Sequence, residues 1–251
     1  MTAITSPSVA TAASSVGPFP GFGGLLRKEL TEWRRARRTW IVFLVSAAFM
    51  TLTALNTWLQ TVLPDEATVG APPADLDPFI NLIAGVSSQI FVVAAIFAVM
   101  ALITAERDSG TLAWTASKPV SRSAIWLSKL VASGSVLWLV AAIIPLVATV
   151  ALVTVLYGPL PVVPVVILAI GMGMAIVLYV TVALAAATVV GSQAAVAGIA
   201  IGFIFLPQSI LQWSMMTAAG EPAGIVTVIT WAVTVAALVA FSFRRMERME
   251  L

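Results

Sequence analysis

The sequence of 251 residues contains no cysteine and no histidine. The first absence excludes disulfides and thiolate ligands, and the second removes the commonest metal ligand and the commonest general base. Charged residues are also scarce, at 10% of the chain, whereas hydrophobic residues make up 60%. Roughly a quarter of the residues in a soluble domain are charged. The composition therefore predicts a membrane protein, and we expect neither a catalytic site nor a metal site in it.

Four stretches of the sequence carry no charged residue, and all the long apolar runs lie inside them. A membrane-spanning helix needs about 20 apolar residues, so the first, second and fourth stretches hold one span each. The third, residues 130–220, is long enough for three spans and is divided by turn-forming residues at 158–161 and 191–193. We predict an all-α membrane protein with six transmembrane helices, at Trp40–Leu63, Phe79–Thr104, Leu130–Tyr157, Val162–Val190, Ala194–Trp213 and Ile225–Phe243.

The distribution of charge predicts the orientation of these spans. All 13 lysines and arginines lie in residues 1–39, 105–129 and 244–251, and the segments on the opposite side carry only acidic residues. Basic residues concentrate on cytoplasmic loops. We therefore expect a multi-pass protein of the plasma membrane with both termini in the cytoplasm. The positive net charge of +2 then marks a membrane face and not a nucleic-acid-binding surface.

The N-terminal region divides into two segments. Residues 1–24 are rich in Ser, Thr, Ala, Pro and Gly and predict a disordered cytoplasmic lead. Residues 25–39 predict an amphipathic helix on the membrane surface, with Leu26, Leu30 and Trp33 on its apolar face and its arginines near membrane lipid. Trp33 would then lie at headgroup depth. The alternative is an ordinary basic flank of the first span.

The segment between the second and third spans, residues 105–129, is the sizeable cytoplasmic loop of this topology. Gly110 tolerates a positive φ and can end the second span. Thr111 can cap a short helix that Pro119 ends, and Ser121 can cap the helix that leads into the third span. The final part of the sequence, residues 244–251, is predicted to be a cytoplasmic tail.

Glu106 lies at the C-terminal end of the second span, where the helix dipole disfavours negative charge. A cationic partner would offset this cost. Arg107 is adjacent in sequence and does not face Glu106 on a helix, so we expect Arg122 or an arginine of the N-terminal helix. The alternative is a solvated glutamate at a helix end.

The loop resembles the cytoplasmic loop of ABC-2 type transporter permeases. The resemblance rests on Glu-Arg-x-x-Gly-Thr-Leu from Glu106, Lys-Pro-Val-Ser-Arg from Lys118, and Lys129 before the next span. The run Arg-Lys-Glu-Leu-x-Glu-Trp-Arg-Arg from Arg27 agrees with the same family, and the similarity extends from about Leu25 to the end. Residues 113–116 read Ala-Trp-Thr-Ala, where the family usually has bulky aliphatic residues.

This resemblance implies a transporter of two permease chains and two cytoplasmic ABC ATPases, which bind ATP and Mg. The second permease would be an identical chain or a close paralogue. The loop would act as a coupling helix and residues 25–39 as an elbow helix, within a permease domain at 40–243. No Gly-Lys-Ser/Thr phosphate-binding loop occurs here, so we expect the ATPase on a separate chain. The implied ATPase-coupling residues are Glu106, Arg107, Gly110, Thr111, Leu112, Trp114, Pro119 and Arg122.

The predicted spans contain no ionisable side chain, which argues against a proton- or sodium-coupled carrier. Uncharged polar residues could line a pathway, although hydrogen bonding between helices is their commoner role. The candidate pathway residues are Asn56, Gln60, Gln89, Gln208 and Gln212. An uncharged route suits an apolar, lipid-like, drug or peptide substrate, which the resemblance predicts to move outward. The alternative function is a membrane scaffold or anchor without transport.

Small residues recur at a spacing of four in two predicted spans, at Ala169 and Gly173 and at Gly198 and Gly202. Such pairs let a second helix approach closely. The partner could belong to another chain or to the same chain.

Overall fold

A computed structural model describes residues 19–62, 90–117, 120–203 and 223–248. These ranges are almost entirely helical and contain no strand. A π-helical segment, Trp138–Ile143, joins two of the helices. The α-helices are α1 (Phe22–Arg35), α2 (Arg37–Val62), α3 (Ile90–Val99), α4 (Thr104–Asp108), α5 (Thr111–Ala116), α6 (Arg122–Leu137), α7 (Ile144–Tyr157), α8 (Val162–Val189), α9 (Gln193–Gly202) and α10 (Ala223–Glu247).

Four helical stretches among the described residues are long and apolar enough to cross a membrane. They are Arg37–Asn56, Arg122–Tyr157, Val162–Val189 and Val228–Glu247, and they match the first, third, fourth and sixth predicted spans. The all-α membrane architecture is therefore confirmed. Helices α3 and α9 are shorter and adjoin 63–89 and 204–222, which lie outside the described residues. The second and fifth spans stay predictions.

Helix α8 lies at the centre of the bundle, where it contacts α3, α6, α9 and α10. Its residues 178–188 are all buried, which is the pattern of a helix enclosed on every side. Alanines at 183 and 185–187 let the neighbouring helices approach closely. The Thr181 and Thr188 hydroxyls donate to carbonyls of their own helix, so burial leaves neither hydroxyl unsatisfied.

The π-helical segment is explained by Pro145, which has no N–H to donate to the carbonyl of Ala141. The widened turn carries Trp138, whose indole N–H donates to the carbonyl of Ala169 at 3.0 Å. A Cβ at Gly173 would lie 2.7 Å from Trp138 Nε1. The small residues at 169 and 173 therefore accommodate a tryptophan of the same chain.

The second small-residue pair behaves differently. Gly198 and Gly202 are exposed on α9, and a Cβ at either position would meet nothing within 4 Å. This pair therefore does not receive another helix within the described residues.

Helix α1 packs lengthwise on α6 and begins at Phe22, three residues before the predicted start at Leu25. Trp33 is fully buried in the protein, so it packs on the bundle and not on lipid, and its depth in the membrane stays a prediction. Leu30 is 39% exposed, whereas Leu26 is partly buried. The face of α1 that packs on the bundle therefore differs from the predicted apolar face. It includes the charged residue Glu29, which is buried, in place of Leu30.

The C-terminal helix also differs from its predicted bounds. Helix α10 continues through Arg244 and Arg245 to Glu247, so the first half of the predicted tail at 244–251 belongs to the last turn of this helix. Cations at this end are favourable, since they lie near the negative end of the helix dipole.

Candidate functional site

The α3–α6 connection, described at residues 100–117 and 120–121, contains the two short helices α4 and α5. Gly110 separates α4 from α5 with a φ of 72°, as its sequence context predicts. Its carbonyl accepts a hydrogen bond from the N–H of Trp114 at 3.2 Å. Thr111 is the first residue of α5 and its hydroxyl donates to the Glu106 carbonyl at 3.2 Å, so the predicted N-cap role for Thr111 is wrong.

The other end of the connection is fixed by Ser121. Its hydroxyl accepts from the N–H of Ala124 at 3.1 Å, which confirms it as the N-cap of α6. The Ser121 N–H in turn donates to the carbonyl of Pro20 at 3.3 Å. A Cβ at Gly21 would collide with Val120, so the chain before α1 lies directly against the end of the connection. Pro119, the predicted end of the short helix, lies outside the described residues.

An ion cluster joins the connection to α1 and α6. The Lys129 ammonium lies 2.9 Å from a Glu106 carboxylate oxygen and 2.8 Å from a Glu29 carboxylate oxygen. Lys129 and Glu29 are buried, and the Glu106 side chain is 21% exposed. Lys28 lies on the solvent side, 3.7 Å from Glu106 and 3.5 Å from Glu32. One buried lysine therefore bridges two carboxylates from different parts of the chain.

Glu106 thus has the cationic partners that the helix-dipole argument predicts, but they are lysines and not Arg122. The reason is geometric, since Lys129 lies two turns into α6 and faces α1 and α4 together. Burial of the Lys28 ammonium lowers its pKa, but the charges of Glu106, Glu32 and Glu29 outweigh this effect. The net result is a pKa above the ordinary value of 10.5.

Arg107 of the connection and Arg122, the first residue of α6, contact the ends of other helices. Arg107 Nη2 donates to the carbonyl of Val190, just past the end of α8, at 3.0 Å. Arg122 Nη1 donates to the carbonyls of Met246 and Glu247, at the end of α10, at 3.3 and 3.2 Å. Carbonyls at helix C-termini have no partner within the helix, and a guanidinium satisfies them while complementing the dipole.

These contacts gather several helix ends on one face of the bundle. Glu106 connects the segment to α1 and α6, and Arg107 connects it to α8. Arg122 connects the start of α6 to the end of α10. Phe243 of α10 packs against Phe19 and Trp126 on the same side. The three basic segments of the sequence therefore lie together, as the predicted topology requires.

Helix α5 presents one side chain inward and another outward. Leu112 is buried and anchors the helix against the bundle. Trp114, two residues later, is 65% exposed. Helix α5 is therefore anchored by Leu112 and presents the aromatic side chain of Trp114 on its exposed side.

The candidate pathway residues are not brought together within the described part of the chain. Asn56 is exposed on α2, and nothing is described of the Gln60 side chain. The remaining candidates, Gln89, Gln208 and Gln212, lie outside the described residues. Across the described ranges no cluster of carboxylates suited to a metal ion occurs.

Sequence reasoning missed Glu29 and Lys28 as site residues. A signal was present, because Glu29 falls between Leu26 and Trp33 on the face with apolar periodicity. A charged residue at such a position indicates a buried ion pair, since an unpaired charge would cost several kcal/mol.

The fold and the site define a multi-pass helical membrane protein with an anchored loop on one face. A family model described as ABC-2 family transporter protein matches residues 24–222. The chain therefore belongs to the ABC-2 transporter family, and it is a permease. Members of this family are transmembrane subunits without their own ATPase motif, and membership implies association with an ABC ATPase subunit. No curated protein gives a significant match.

Proposed function

We propose that this chain is the permease subunit of an ATP-driven exporter in the plasma membrane, with six spans and both termini in the cytoplasm. Two such chains, identical or paralogous, would associate with two ATPase chains that bind ATP and Mg. The proposal is carried by the geometry of the α3–α6 connection, which exposes Trp114 and is joined to α1 and α6 through Glu106 and to the end of α8 through Arg107. The absence of charged residues from the six predicted spans suits an apolar, lipid-like, drug or peptide substrate moving outward.

The connection is suited to transmit force. Glu106 and Arg107 each form a hydrogen bond in which at least one partner is charged. Such bonds are roughly twice as strong as hydrogen bonds between neutral groups. A displacement of α5 by an ATPase would reach α1 and α6 through Lys129, α8 through Arg107 and α10 through Arg122. Because a helix is held together by its own backbone hydrogen bonds, each contacted helix would shift as a unit.

Within this mechanism the residues of the connection have different roles. Trp114 would fill a pocket on the ATPase, since aromatic side chains are typical anchors of protein interfaces. Leu112 would hold α5 on the bundle, and Gly110 would set the direction in which α5 projects. Pro119 would end the coupling segment before α6.

The experiment is photo-cross-linking in the native membrane. A photoreactive amino acid at Trp114 should join this chain to an ATPase, while the same group at Val155, an exposed residue of α7, should not. Trp114→Ala should weaken the gently extracted complex by about thirtyfold, because loss of an anchor costs about 2 kcal/mol. The chain purified alone should not hydrolyse ATP.

Two results would contradict the proposal in different ways. A native complex without any nucleotide-hydrolysing subunit would favour the scaffold function over transport. Retention of the ATPase by Trp114→Ala at unchanged affinity would refute only the anchor role of this residue. Efflux of candidate apolar substrates from vesicles that contain the whole complex would then identify the cargo class and the direction.

The second permease chain is supported by the exposed small residues of α9. Gly198 and Gly202 offer a surface on which a helix of another chain could approach closely. Mass measurement of the extracted complex would test the two-plus-two composition.

A further inference from the structure

A cleft opens beside the junction of α1 and α2, with a volume of about 390 Å³. This volume falls within the roughly 300–1,000 Å³ typical of small-molecule sites. One wall is formed by Trp40 and Phe43 of α2, and the facing wall by Leu139 and Val140 of the π-helical segment. Arg34, near the end of α1, is the charged residue among those that line the cleft. The cleft is therefore apolar along its length and cationic at one end.

The cleft lies where an amphiphilic molecule of one membrane leaflet would lie. Its two walls belong to stretches that are long and apolar enough to span a membrane, Arg37–Asn56 and Arg122–Tyr157. Trp40, Ile41 and Leu44 are each at least 60% exposed and continue the apolar surface along α2, away from α1. The cationic end thus lies at the start of the span, where lipid headgroups lie, and the apolar part runs toward the hydrocarbon.

The charges around the cleft favour an anion. Arg38 is stacked on the Trp33 ring at 4.5 Å and is held inward. The nearest acidic residues of α1 have lysine partners, Glu32 with Lys28 and Glu29 with Lys129. No acidic side chain is among the described residues that line the cleft. The charge of Arg34 is therefore not balanced by the lining of the cleft.

We propose that this cleft binds one anionic phospholipid of the membrane leaflet that faces α1. The Arg34 guanidinium donates hydrogen bonds to the lipid phosphate, for which its planar fork is well suited. One acyl chain lies between Trp40 and Phe43 on one side and Leu139 and Val140 on the other. The bound lipid fills the space between the end of α1 and the start of α2. This site depends on the chain spanning a membrane but not on the transport function.

The test is a lipid titration of the purified full-length chain in detergent, followed by native mass spectrometry. The probes are phosphatidylglycerol and phosphatidylcholine with identical acyl chains. Wild type should bind the first phosphatidylglycerol at least tenfold more tightly than phosphatidylcholine. Arg34→Gln should raise the Kd for phosphatidylglycerol about tenfold, whereas Arg35→Gln, which removes the same charge outside the cleft, should change it less than threefold.

The apolar part of the site has its own matched pair. Val140→Trp fills the cleft and should abolish the tightest phosphatidylglycerol site. Val147→Trp adds the same side chain to an exposed position of α7 outside the cleft and should leave that site intact. Circular dichroism of all variants should show the same helix content.

Several outcomes would overturn the proposal. Equal losses in Arg34→Gln and Arg35→Gln would show a general attraction to positive surface charge. Equal affinities for the two lipids would refute the phosphate contact, and unchanged binding in Val140→Trp would refute the location. If Val140→Trp instead converted a dimer to a monomer without changing lipid binding, the occupant of the cleft would be a second copy of the chain.

Discussion

Replacement of Lys129 by methionine tests the ion cluster most directly. The change removes the ammonium and keeps a side chain of similar length, so two carboxylates that shared one cation are left facing each other. The Lys129 distances of 2.8 and 2.9 Å place the Glu29 and Glu106 oxygens within about 5.7 Å of each other. At an effective dielectric constant of about 20, their repulsion is about 3 kcal/mol or more.

The measured loss should be larger than that of a surface ion pair. Removing one partner of a buried pair typically costs about 3–5 kcal/mol, because the other charge stays buried without compensation. At roughly 2–4 °C per kcal/mol for soluble chains of this size, Lys129→Met should lower the unfolding midpoint by roughly 6–20 °C. The assay is thermal unfolding in detergent at pH 7, followed by circular dichroism.

Two further variants decide whether the reasoning is correct. Lys28→Met removes a half-exposed lysine of the same cluster and should change stability by less than about 1 kcal/mol. Glu29→Leu combined with Lys129→Met removes the buried pair together and should recover most of the loss, since Glu106 keeps Lys28. Lys129 does not stabilise the fold as described if Lys129→Met is no less stable than Lys28→Met. The same conclusion follows if the double variant is less stable than Lys129→Met alone.

Three other predictions concern the connection and the topology. Gly110→Val places a β-branched residue at a φ of 72° and should impair transport at matched expression. Gly110→Asn should not impair it, because asparagine tolerates a positive φ. Equal transport by both variants would refute the role of the left-handed turn. Arg107→Ala should cost about 1.5–3 kcal/mol locally and raise amide exchange at the C-terminal end of α8, an effect that Asp108→Ala should not reproduce. Ala71→Cys should react with an impermeant thiol reagent on intact cells and Ala116→Cys only after lysis, a clean test because the chain has no native cysteine. Labelling of Ala116→Cys without lysis would reverse the topology.

The features that sequence predicted well are those dictated by local chemistry or by the membrane. The stretches without charged residues match the four described helical stretches that are long enough to cross a membrane. They do so because a membrane interior tolerates few charges, whatever the tertiary fold. Gly110 takes a positive φ because glycine does so without steric cost. Ser121 caps α6 because its hydroxyl satisfies an N–H that any helix start exposes.

The features that sequence did not predict depend on tertiary contacts. An apolar helix face has the same pattern whether it packs on lipid or on protein, so the pattern did not show that Trp33 is buried against the bundle. The partner of Glu106 is Lys129, which is 23 positions away and beyond any helical spacing rule. Pro145 indicates a disturbed helix, but the widened turn that places Trp138 against Gly173 depends on how α6 and α8 meet.

The buried cluster raises a question that stability alone does not answer, because apolar residues of similar volume often stabilise a protein as well as a buried ion pair does. What Lys129 adds is a bond to two segments at once, Glu29 on α1 and Glu106 on the connection. An apolar replacement would keep α1 packed but would leave Lys28 as the ion-pair partner that joins Glu106 to α1. The variant with Glu29→Leu and Lys129→Met should therefore unfold near the wild-type temperature and yet show reduced substrate-stimulated ATP hydrolysis in the reconstituted complex. Wild-type stimulation in that variant would mean that the cluster serves folding and that coupling passes through Arg107 and Arg122.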